Sequence, residues 1–343
     1  MTIEKSRNGS AVDHGPWIDI HAHPGRCFLG GLPPSSPFVA LLGAEEARGR
    51  VGSSRDGEVS VVNASTVGDL AVLGVRPEGG LYASRAFGPG EAVADHVRQM
   101  GALNDLLADA SVQAVRGPDD IRALASDDEV GVFLSCEGAD FLDGGLDGLD
   151  AAHRDGARAV TLVHYRVNEL GDVQTEDAVH GGLTGFGREV VREMNRLGMI
   201  VDLAHATFEA TVAALEESTR PIMISHSHLA RPGSTHPRLL SEEHAAVVAE
   251  AGGLIGAWPA GIELTTLSGY CEEICRLVDV VGIDHVAIGT DLDANYRPVL
   301  TDYRQFPEVA AGLAARGMSA PEIDRVLGGN FVALFTAVAG PSG

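Results

Sequence analysis

The sequence predicts an α/β fold, a closed (β/α)8 TIM barrel, from three observations. About eight short apolar segments recur along the 343 residues, and helical patterns separate nearly all of them. This alternation implies parallel strands joined by helices, and about eight strands suit a closed barrel. Polar residues with metal-binding or proton-transfer chemistry follow several of these segments, where the carboxyl ends of barrel strands form the active face. A doubly wound open sheet is the alternative architecture.

The first predicted strand begins at Trp17 and leads into His21-Ala22-His23. A strand alternates faces at every residue, so His21 and His23 point the same way, as two imidazoles must if they bind one metal ion. The pattern alone is weak, because the chain has 13 histidines and His226 and His228 repeat it. Its position at the end of a strand, in the company of other polar strand ends, favours a metal site.

The next residues are irregular. Glycine and proline are too dense in 30–37 for a helix or strand, so this segment is predicted to be a loop at the ligand end of the first strand. The apolar run Val59–Asn63 predicts the second strand. A segment rich in glycine and proline, 74–90, then leads into a helix predicted over 91–108.

From residue 130 onward the alternation is regular. The remaining strands are predicted over 130–135, 157–163, 199–203, 221–225, 253–257 and 286–289. Helices are predicted over 146–155, 188–197 and 241–251, with a helical tail over 302–335. No repeat or linker divides the chain, so we predict a single domain over 1–343, with the barrel over 16–336 and a polar tail over 1–15.

Composition limits the classes of partner. The formal charge of −23 argues against nucleic acid or an anionic membrane, since both need a positive surface. Residues 1–15 lack the apolar core of a signal peptide and no later run is long enough to span a membrane, so we expect a cytoplasmic protein. The four cysteines have neither zinc-finger spacing nor disulfide-scaffold density and are expected to be reduced thiols.

Six residues that end or follow predicted strands form a candidate metal centre. They are His21, His23, Glu137, His205, His226 and Asp291. Imidazole and carboxylate together suit zinc, manganese or cobalt, and we predict two divalent metal ions, taken as Zn²⁺, bridged by Glu137. Such a pair holds a shared water as hydroxide near neutral pH, and the hydroxide can attack a carbonyl carbon.

Two further roles follow from position. Asp291, after Ile-Gly-Thr at the last predicted strand, is placed to take the proton from that water and pass it to a leaving amine. His164, after the fourth predicted strand, is suited to donate a hydrogen bond to the developing oxyanion.

Several segments resemble the membrane (renal) dipeptidase family of the amidohydrolase superfamily. The longest is 182–205, and the others are 136–140, 225–227, 285–293 and 328–331. The similarity runs from about Trp17 to Phe335, nearly the whole chain. The resemblance implies a (β/α)8 barrel of the metal-dependent amidohydrolase type that carries two zinc ions and hydrolyses dipeptides, often as a homodimer.

The resemblance also assigns roles to individual residues. It places the first metal on His21, the bridging carboxylate on Glu137, the second metal on His205 and His226, the acid–base group on Asp291, and the oxyanion or substrate histidine on His164. The arginine that binds the substrate carboxylate falls on Arg238, whose guanidinium could bind it through two hydrogen bonds. Arg231 is the alternative.

Three departures from the family pattern concern the metal and the substrate. The family usually has His-x-Asp on the first strand, whereas this chain has His21-x-His23, so one anionic ligand becomes neutral. The region after the fourth strand is usually rich in asparagine, and here it contains Arg166. Arg238 is followed by Leu239, where the family usually has asparagine. The last two segments are expected to border the substrate.

The predicted function is therefore a binuclear metal-dependent dipeptidase acting on a dipeptide or dipeptide-like amide whose carboxylate is held by Arg238. One alternative is an amidohydrolase acting on another small amide, such as an N-acyl amino acid, a lactam or a pathway intermediate. The other is a barrel without catalytic activity that serves as a binding protein.

Overall fold

The computed structural model describes residues 15–35, 37–43, 47–76, 80–124 and 129–340. The strands of these residues are β1 (Trp17–Asp19), β2 (Val59–Val67), β3 (Leu73–Val75), β4 (Leu81–Ala83), β5 (Val112–Val115), β6 (Val130–Glu137), β7 (Ala157–Thr161), β8 (Ile200–Asp202), β9 (Met223–Ser227), β10 (Leu254–Ala257) and β11 (Val286–Ile288). The predicted tail over 1–15 lies, apart from Gly15, outside the described residues.

Helices alternate with these strands over most of the chain. They are α1 (Pro37–Leu42), α2 (Ala47–Ser53), α3 (Glu91–Leu107), α4 (Pro118–Ala123), α5 (Asp147–Arg154), α6 (Gly185–Leu197), α7 (Phe208–Glu217), α8 (Glu242–Glu250), α9 (Leu267–Val281), α10 (Phe306–Ala314), α11 (Ala320–Asp324) and α12 (Asn330–Ala339). Among the described residues, none of the helices is both long and apolar enough to cross a membrane.

Eight parallel strands form the barrel, in the order β1-β2-β6-β7-β8-β9-β10-β11, and β5 pairs with β6 outside this path. The first and last strands meet through backbone hydrogen bonds from Ile20 N to Ile288 O (2.9 Å) and from His23 N to Leu292 O (2.9 Å). These bonds close the sheet, so the predicted (β/α)8 barrel is confirmed and the open-sheet alternative is wrong.

Short local signals fix where several outer helices begin. The side chains of Thr184, Thr207, Ser241 and Thr266 each accept a hydrogen bond from a backbone N–H in the first turn of α6, α7, α8 and α9. Such a cap contributes about 1 kcal/mol, because it satisfies a donor that the helix itself cannot. The cap at Thr184 explains why α6 begins at Gly185 rather than at the predicted residue 188.

A layer of polar side chains links neighbouring strands inside the barrel. Asp19 Oδ1 accepts hydrogen bonds from Thr290 N (2.9 Å) and His21 N (3.3 Å). Asp202 Oδ1 accepts one from Ser225 N (2.9 Å), and its Oδ2 accepts one from Thr161 Oγ1 (2.6 Å). Burial raises the pKa of Asp19 to about 6. These bonds hold the strand ends in fixed relation to one another.

The strand predictions missed three strands and misplaced the ends of others. β5 was missed, and so was the antiparallel hairpin of β3 and β4 at the start of the segment rich in glycine and proline. These strands span only three or four residues, too short to show a period. The predicted strand over 221–225 extends instead over Met223–Ser227, because backbone pairing continues after the apolar run ends.

Candidate active site

The carboxyl ends of the barrel strands bring five imidazoles around the carboxylate of Glu137, the last residue of β6. Glu137 Oε1 lies 3.4 Å from His21 Nε2, 3.0 Å from His205 Nε2 and 3.6 Å from His226 Nε2. Glu137 Oε2 lies 3.1 Å from His23 Nε2 and 3.5 Å from His164 Nε2. All six residues are buried. The structure thus places every predicted metal ligand in one cluster.

Two groups in this cluster have the geometry to hold a metal ion. One consists of His21, His23 and Glu137, and the other of Glu137, His164 and His205; within each group the ligand atoms lie within 4.8 Å of one another. Glu137 belongs to both groups, as a bridging carboxylate would. His226 Nε2 lies 3.2 Å from His205 Nε2 and so borders the second group.

The donor set fits divalent cations. His21 Nε2 and His23 Nε2 are buried and have no hydrogen-bond partner in the described part of the chain, although each faces a Glu137 oxygen. Buried polar atoms are normally satisfied, so such a pair needs a partner of another kind. His23 Nδ1 lies 3.1 Å from the backbone oxygen of Ser65, the outer contact that orients a metal-binding imidazole.

The electrostatics of the cluster favour metal binding at Glu137, His205 and His226. Burial and the charge of Arg238 hold the pKa of His205 well below its usual value. Burial together with His21 lowers that of His226 in the same way, so both rings are neutral at pH 7. Burial would raise the pKa of Glu137, but His164 and His21 outweigh it and hold the carboxyl well below its usual range. Neutral imidazoles and an ionised carboxylate are the forms that bind metal, so His205, His226 and Glu137 are ready to do so. Burial lowers the pKa of His21, but Glu137 and Asp291 outweigh it and raise the pKa to about 9, so His21 would release a proton when a metal ion binds.

Asp291 lies directly beside this cluster. Its Oδ1 is 3.4 Å from His23 Nε2 and 4.0 Å from His21 Nε2, and burial raises its pKa. Asp291 and His205 both have left-handed backbone angles, with φ of 54° and 67°. Non-glycine residues adopt this conformation at an energetic cost, which is often found at functional sites. In both residues it occurs just after a barrel strand.

His164 is held by a carboxylate that the sequence analysis did not identify. Its Nδ1 lies 2.7 Å from Asp69 Oδ1, and Asp69 Oδ2 accepts a hydrogen bond from Tyr165 N at 2.9 Å. Burial lowers the pKa of His164, but Asp69 and Glu137 outweigh it and raise the pKa to about 9. No local pattern marks Asp69, since its partner is 95 residues away in the chain.

Arg238 is buried next to the cluster. Its Nη1 donates to Gln174 Oε1 (2.6 Å), its Nη2 lies 3.0 Å from His226 Nε2, and its guanidinium is 5.3 Å from the centroid of the Trp258 ring. Its Nε has no hydrogen-bond partner among the described residues. A buried cation without a matching anion is costly, so this position suits an anionic ligand. The alternative, Arg231, instead lies 3.8 Å from both Glu263 and Glu273.

Arg166 and Leu239 are two positions at which this chain differs from the usual family pattern. Arg166 is paired with Asp140 and lies 3.3 Å from Glu169, and its guanidinium is 5.4 Å from the centroid of the Phe87 ring. Leu239 is buried. The expectation that both segments border the substrate stays a prediction.

A cavity of about 200 Å³ opens above the cluster. Its floor is polar and includes Glu137, His164, His205, His226 and Asp291. Aliphatic and aromatic side chains also line the cavity, and we call six of them the apolar wall: Phe28, Phe38, Leu42, Leu70, Leu73 and Val75. Phe28, Phe38, Leu70 and Leu73 pack in one cluster. The site therefore combines metal-binding chemistry with a pocket of small-molecule size and an apolar flank.

Comparison with known proteins identifies dipeptidases among the relatives of this chain. The model of the membrane dipeptidase family (peptidase family M19) matches residues 65–341. The dipeptidase tcpJ of Claviceps purpurea is 31% identical over 231 residues, covering 64% of this chain and 54% of the relative. An uncharacterized dipeptidase of Schizosaccharomyces pombe is 36% identical over 185 residues, covering 51% of this chain and 45% of the relative. The chain matches about half the length of these relatives.

Solved structures show the same fold at lower identity. A metallo peptidase from Rhodobacter sphaeroides, liganded with a phosphinate mimic of the dipeptide L-Ala-D-Ala, aligns with a TM-score of 0.75 at 20% identity over 95% of this chain and 100% of the other. An amidohydrolase from Pseudomonas aeruginosa aligns with a TM-score of 0.75 at 23% identity over 95% and 97%. Because the family model covers most of the chain, this protein belongs to the membrane dipeptidase family, peptidase family M19.

Proposed function

We propose that this protein is a binuclear metal-dependent dipeptidase that hydrolyses the amide bond of a dipeptide or dipeptide-like substrate. The observation that carries the proposal is the pair of unsatisfied buried nitrogens, His21 Nε2 and His23 Nε2, opposite the Glu137 carboxylate. Family membership supports the reaction class, as does the dipeptide mimic bound by the Rhodobacter sphaeroides structure.

The cluster would hold two divalent cations, which we propose to be Zn²⁺. His21 and His23 would bind one, His205 and His226 the other, and Glu137 would bridge them. When bound, the cations would polarise the substrate carbonyl and lower the pKa of a shared water. The neutral second ligand His23, in place of the usual aspartate of the family, leaves the centre with more positive charge.

Three side chains would then handle the proton and the developing charge. Asp291 would take a proton on its carboxylate and hand it to the leaving amine, since it lies within 4.0 Å of both His21 and His23. His164 would donate a hydrogen bond from Nε2 to the substrate carbonyl oxygen as negative charge develops there. Asp69 would keep His164 in this role by accepting the hydrogen bond from Nδ1.

Arg238 would bind the substrate carboxylate. Its guanidinium adjoins His226 and Trp258, which line the cavity, and it forms no ion pair within the described residues. A carboxylate placed there would supply the missing countercharge and bind through two hydrogen bonds.

A second candidate function is hydrolysis of another small amide, such as an N-acyl amino acid. The apolar wall favours it, because an acyl chain without an amine would fit the same surface. The predicted homodimer and cytoplasmic location stay predictions.

The test is amino acid release from a panel of L,L and L,D dipeptides by zinc-reconstituted protein, with a chelator-treated sample as the control. Release that the chelator abolishes is the expected result, with two metal ions per chain by elemental analysis. Silence across the panel, with two ions bound, would contradict the dipeptidase proposal and favour the second candidate.

A further inference from the structure

The apolar wall is assembled from separate parts of the chain, and four of its members, Phe28, Phe38, Leu70 and Leu73, pack against one another. Phe28, Leu70 and Leu73 are buried in it, whereas Leu42 and Val75 are 39% and 47% exposed at its outer edge. Few large apolar side chains are this exposed in the described residues, and two of them flank the same opening. An exposed apolar surface at the mouth of a cavity marks a place where an apolar group of a ligand binds.

The positions of the apolar wall and of Arg238 define the orientation in which a dipeptide would bind. The Phe28 ring packs edge-on against the His23 ring, with 5.2 Å between centroids, whereas Arg238 contacts His226. His23 faces Glu137 Oε2 at 3.1 Å, and His226 faces Glu137 Oε1 at 3.6 Å. Phe28 of the apolar wall and the Arg238 guanidinium therefore adjoin imidazoles that face different oxygens of the Glu137 carboxylate.

A dipeptide bound between Arg238 and the apolar wall could adopt few positions, because its two Cα atoms are only about 3.8 Å apart. With its carboxylate at Arg238, the scissile amide would lie over Glu137. The residue on the acyl side of that amide would then extend toward His23 and Phe28. Its side chain would meet the apolar wall.

We infer that the apolar wall selects substrates whose acyl-side residue carries a large apolar side chain, so that dipeptides such as Leu-Ala and Phe-Ala are preferred over Gly-Ala. This inference rests on the proposed function and names its substrate class. The shared chemistry is an apolar acyl group, which either an amino acid or a fatty acyl chain could supply.

The first experiment compares kcat/KM for Gly-Ala, Leu-Ala and Phe-Ala with the mirror series Ala-Gly, Ala-Leu and Ala-Phe. Burial of a leucine or phenylalanine side chain should raise kcat/KM by about tenfold or more in the first series, and by much less in the second. An equal rise in both series, or none in the first, would overturn the inference.

N-pentanoyl-alanine tests whether the apolar acyl group must belong to an amino acid. Cleavage comparable to that of Leu-Ala would mean that an acyl chain suffices, and no cleavage would mean that a peptide amine is required. A failure of the proposed function can be told apart from a failure of this inference, because in the former case no dipeptide would be cleaved.

A second experiment alters the wall itself. The double variant Leu42→Asp and Val75→Asp changes two exposed positions, so the fold should survive, and a thermal melt checks this. The Leu-Ala to Gly-Ala ratio of kcat/KM should fall at least fivefold. The matched control is Val97→Asp on α3, a valine that is 64% exposed and outside the cavity lining, which should leave the ratio unchanged. An unchanged ratio in the folded double variant would show that the wall does not select the substrate.

Discussion

Asp69→Asn tests whether the carboxylate behind His164 contributes to turnover. The substitution keeps the size of the side chain but removes its charge. In the native protein Asp69 accepts from His164 Nδ1 at 2.7 Å and from Tyr165 N at 2.9 Å. The two hydrogen bonds go to different oxygens of Asp69, and an amide replaces one of these oxygens with an NH2 group that only donates.

The expected loss follows from the charge on His164. After the opposing effect of burial, Asp69 makes the largest contribution to raising the pKa of His164 to about 9, so the ring is protonated at pH 7. Without that carboxylate the pKa of the ring would fall, and a smaller fraction of His164 would give the substrate oxygen a charged hydrogen bond. Charge-assisted hydrogen bonds are roughly twice as strong as neutral ones, a difference of about 1–1.5 kcal/mol, or about tenfold in kcat.

The assay measures kcat and KM for Ala-Ala across pH 6–10, with metal content determined for each sample. Asp69→Asn should lower kcat about tenfold, change KM less, and move the alkaline decline of activity to lower pH, because His164 then loses its proton earlier. Asp105→Asn, at an exposed position of α3, serves as the matched control. A wild-type kcat and pH profile in Asp69→Asn with full metal content would refute the reasoning, and a loss explained by missing metal would assign Asp69 to metal binding.

Three other predictions follow from the same structure. Asp291→Asn should keep its metal ions but lose most turnover, on the order of a hundredfold in kcat, because an amide cannot carry the proton; near-normal activity would remove Asp291 from the mechanism. Arg238→Lys should raise KM for dipeptides about tenfold or more with a smaller change in kcat, because a lysine cannot bind a carboxylate through two parallel hydrogen bonds; a fall in kcat alone would instead indicate that Arg238 acts through His226. Burial lowers the pKa of His96 and of His244 to about 4, below the unfolded value, so the unfolded state binds more protons as the pH falls. Each should therefore cost about 2 kcal/mol of unfolding free energy between pH 7 and pH 5, which denaturant titrations at the two pH values check; a His96→Gln variant with the same pH dependence as the native protein would contradict this.

The candidate metal centre could be predicted because the carboxyl ends of all barrel strands lie on the same face of the barrel. His21, Glu137, His205 and Asp291 come from distant parts of the chain, yet each ends or follows an apolar run. In a parallel barrel those positions share one face, so adjacency in space follows from strand position alone. The prediction needed only the strands, and errors of up to four residues at strand ends, as at β2, did not affect it.

Asp69 and the apolar wall could not be predicted in the same way. Asp69 lies just after the end of β2 at Val67, but the apolar run predicts that this strand ends at Asn63, so the sequence did not connect Asp69 with a strand end. Leu73 and Val75 belong to strand β3, whose three residues adjoin a segment rich in glycine and proline. Both features depend on contacts between residues far apart in the chain, Asp69 with His164 and Leu73 with Phe28. Residue order alone does not encode such contacts.

The junction between β1 and β11 bears on how the protein folds. Asp19 and Thr290, hydrogen-bonded across this junction, are 271 residues apart in sequence. On a ribosome that adds about 5–20 residues per second, the first strand would wait roughly fifteen to fifty seconds for its partner. Until then β1 and the most recently formed strand would both have unpaired backbone edges, which are sites of intermolecular association. The catalytic face would thus be completed last in folding, and turnover would report that the whole barrel has formed.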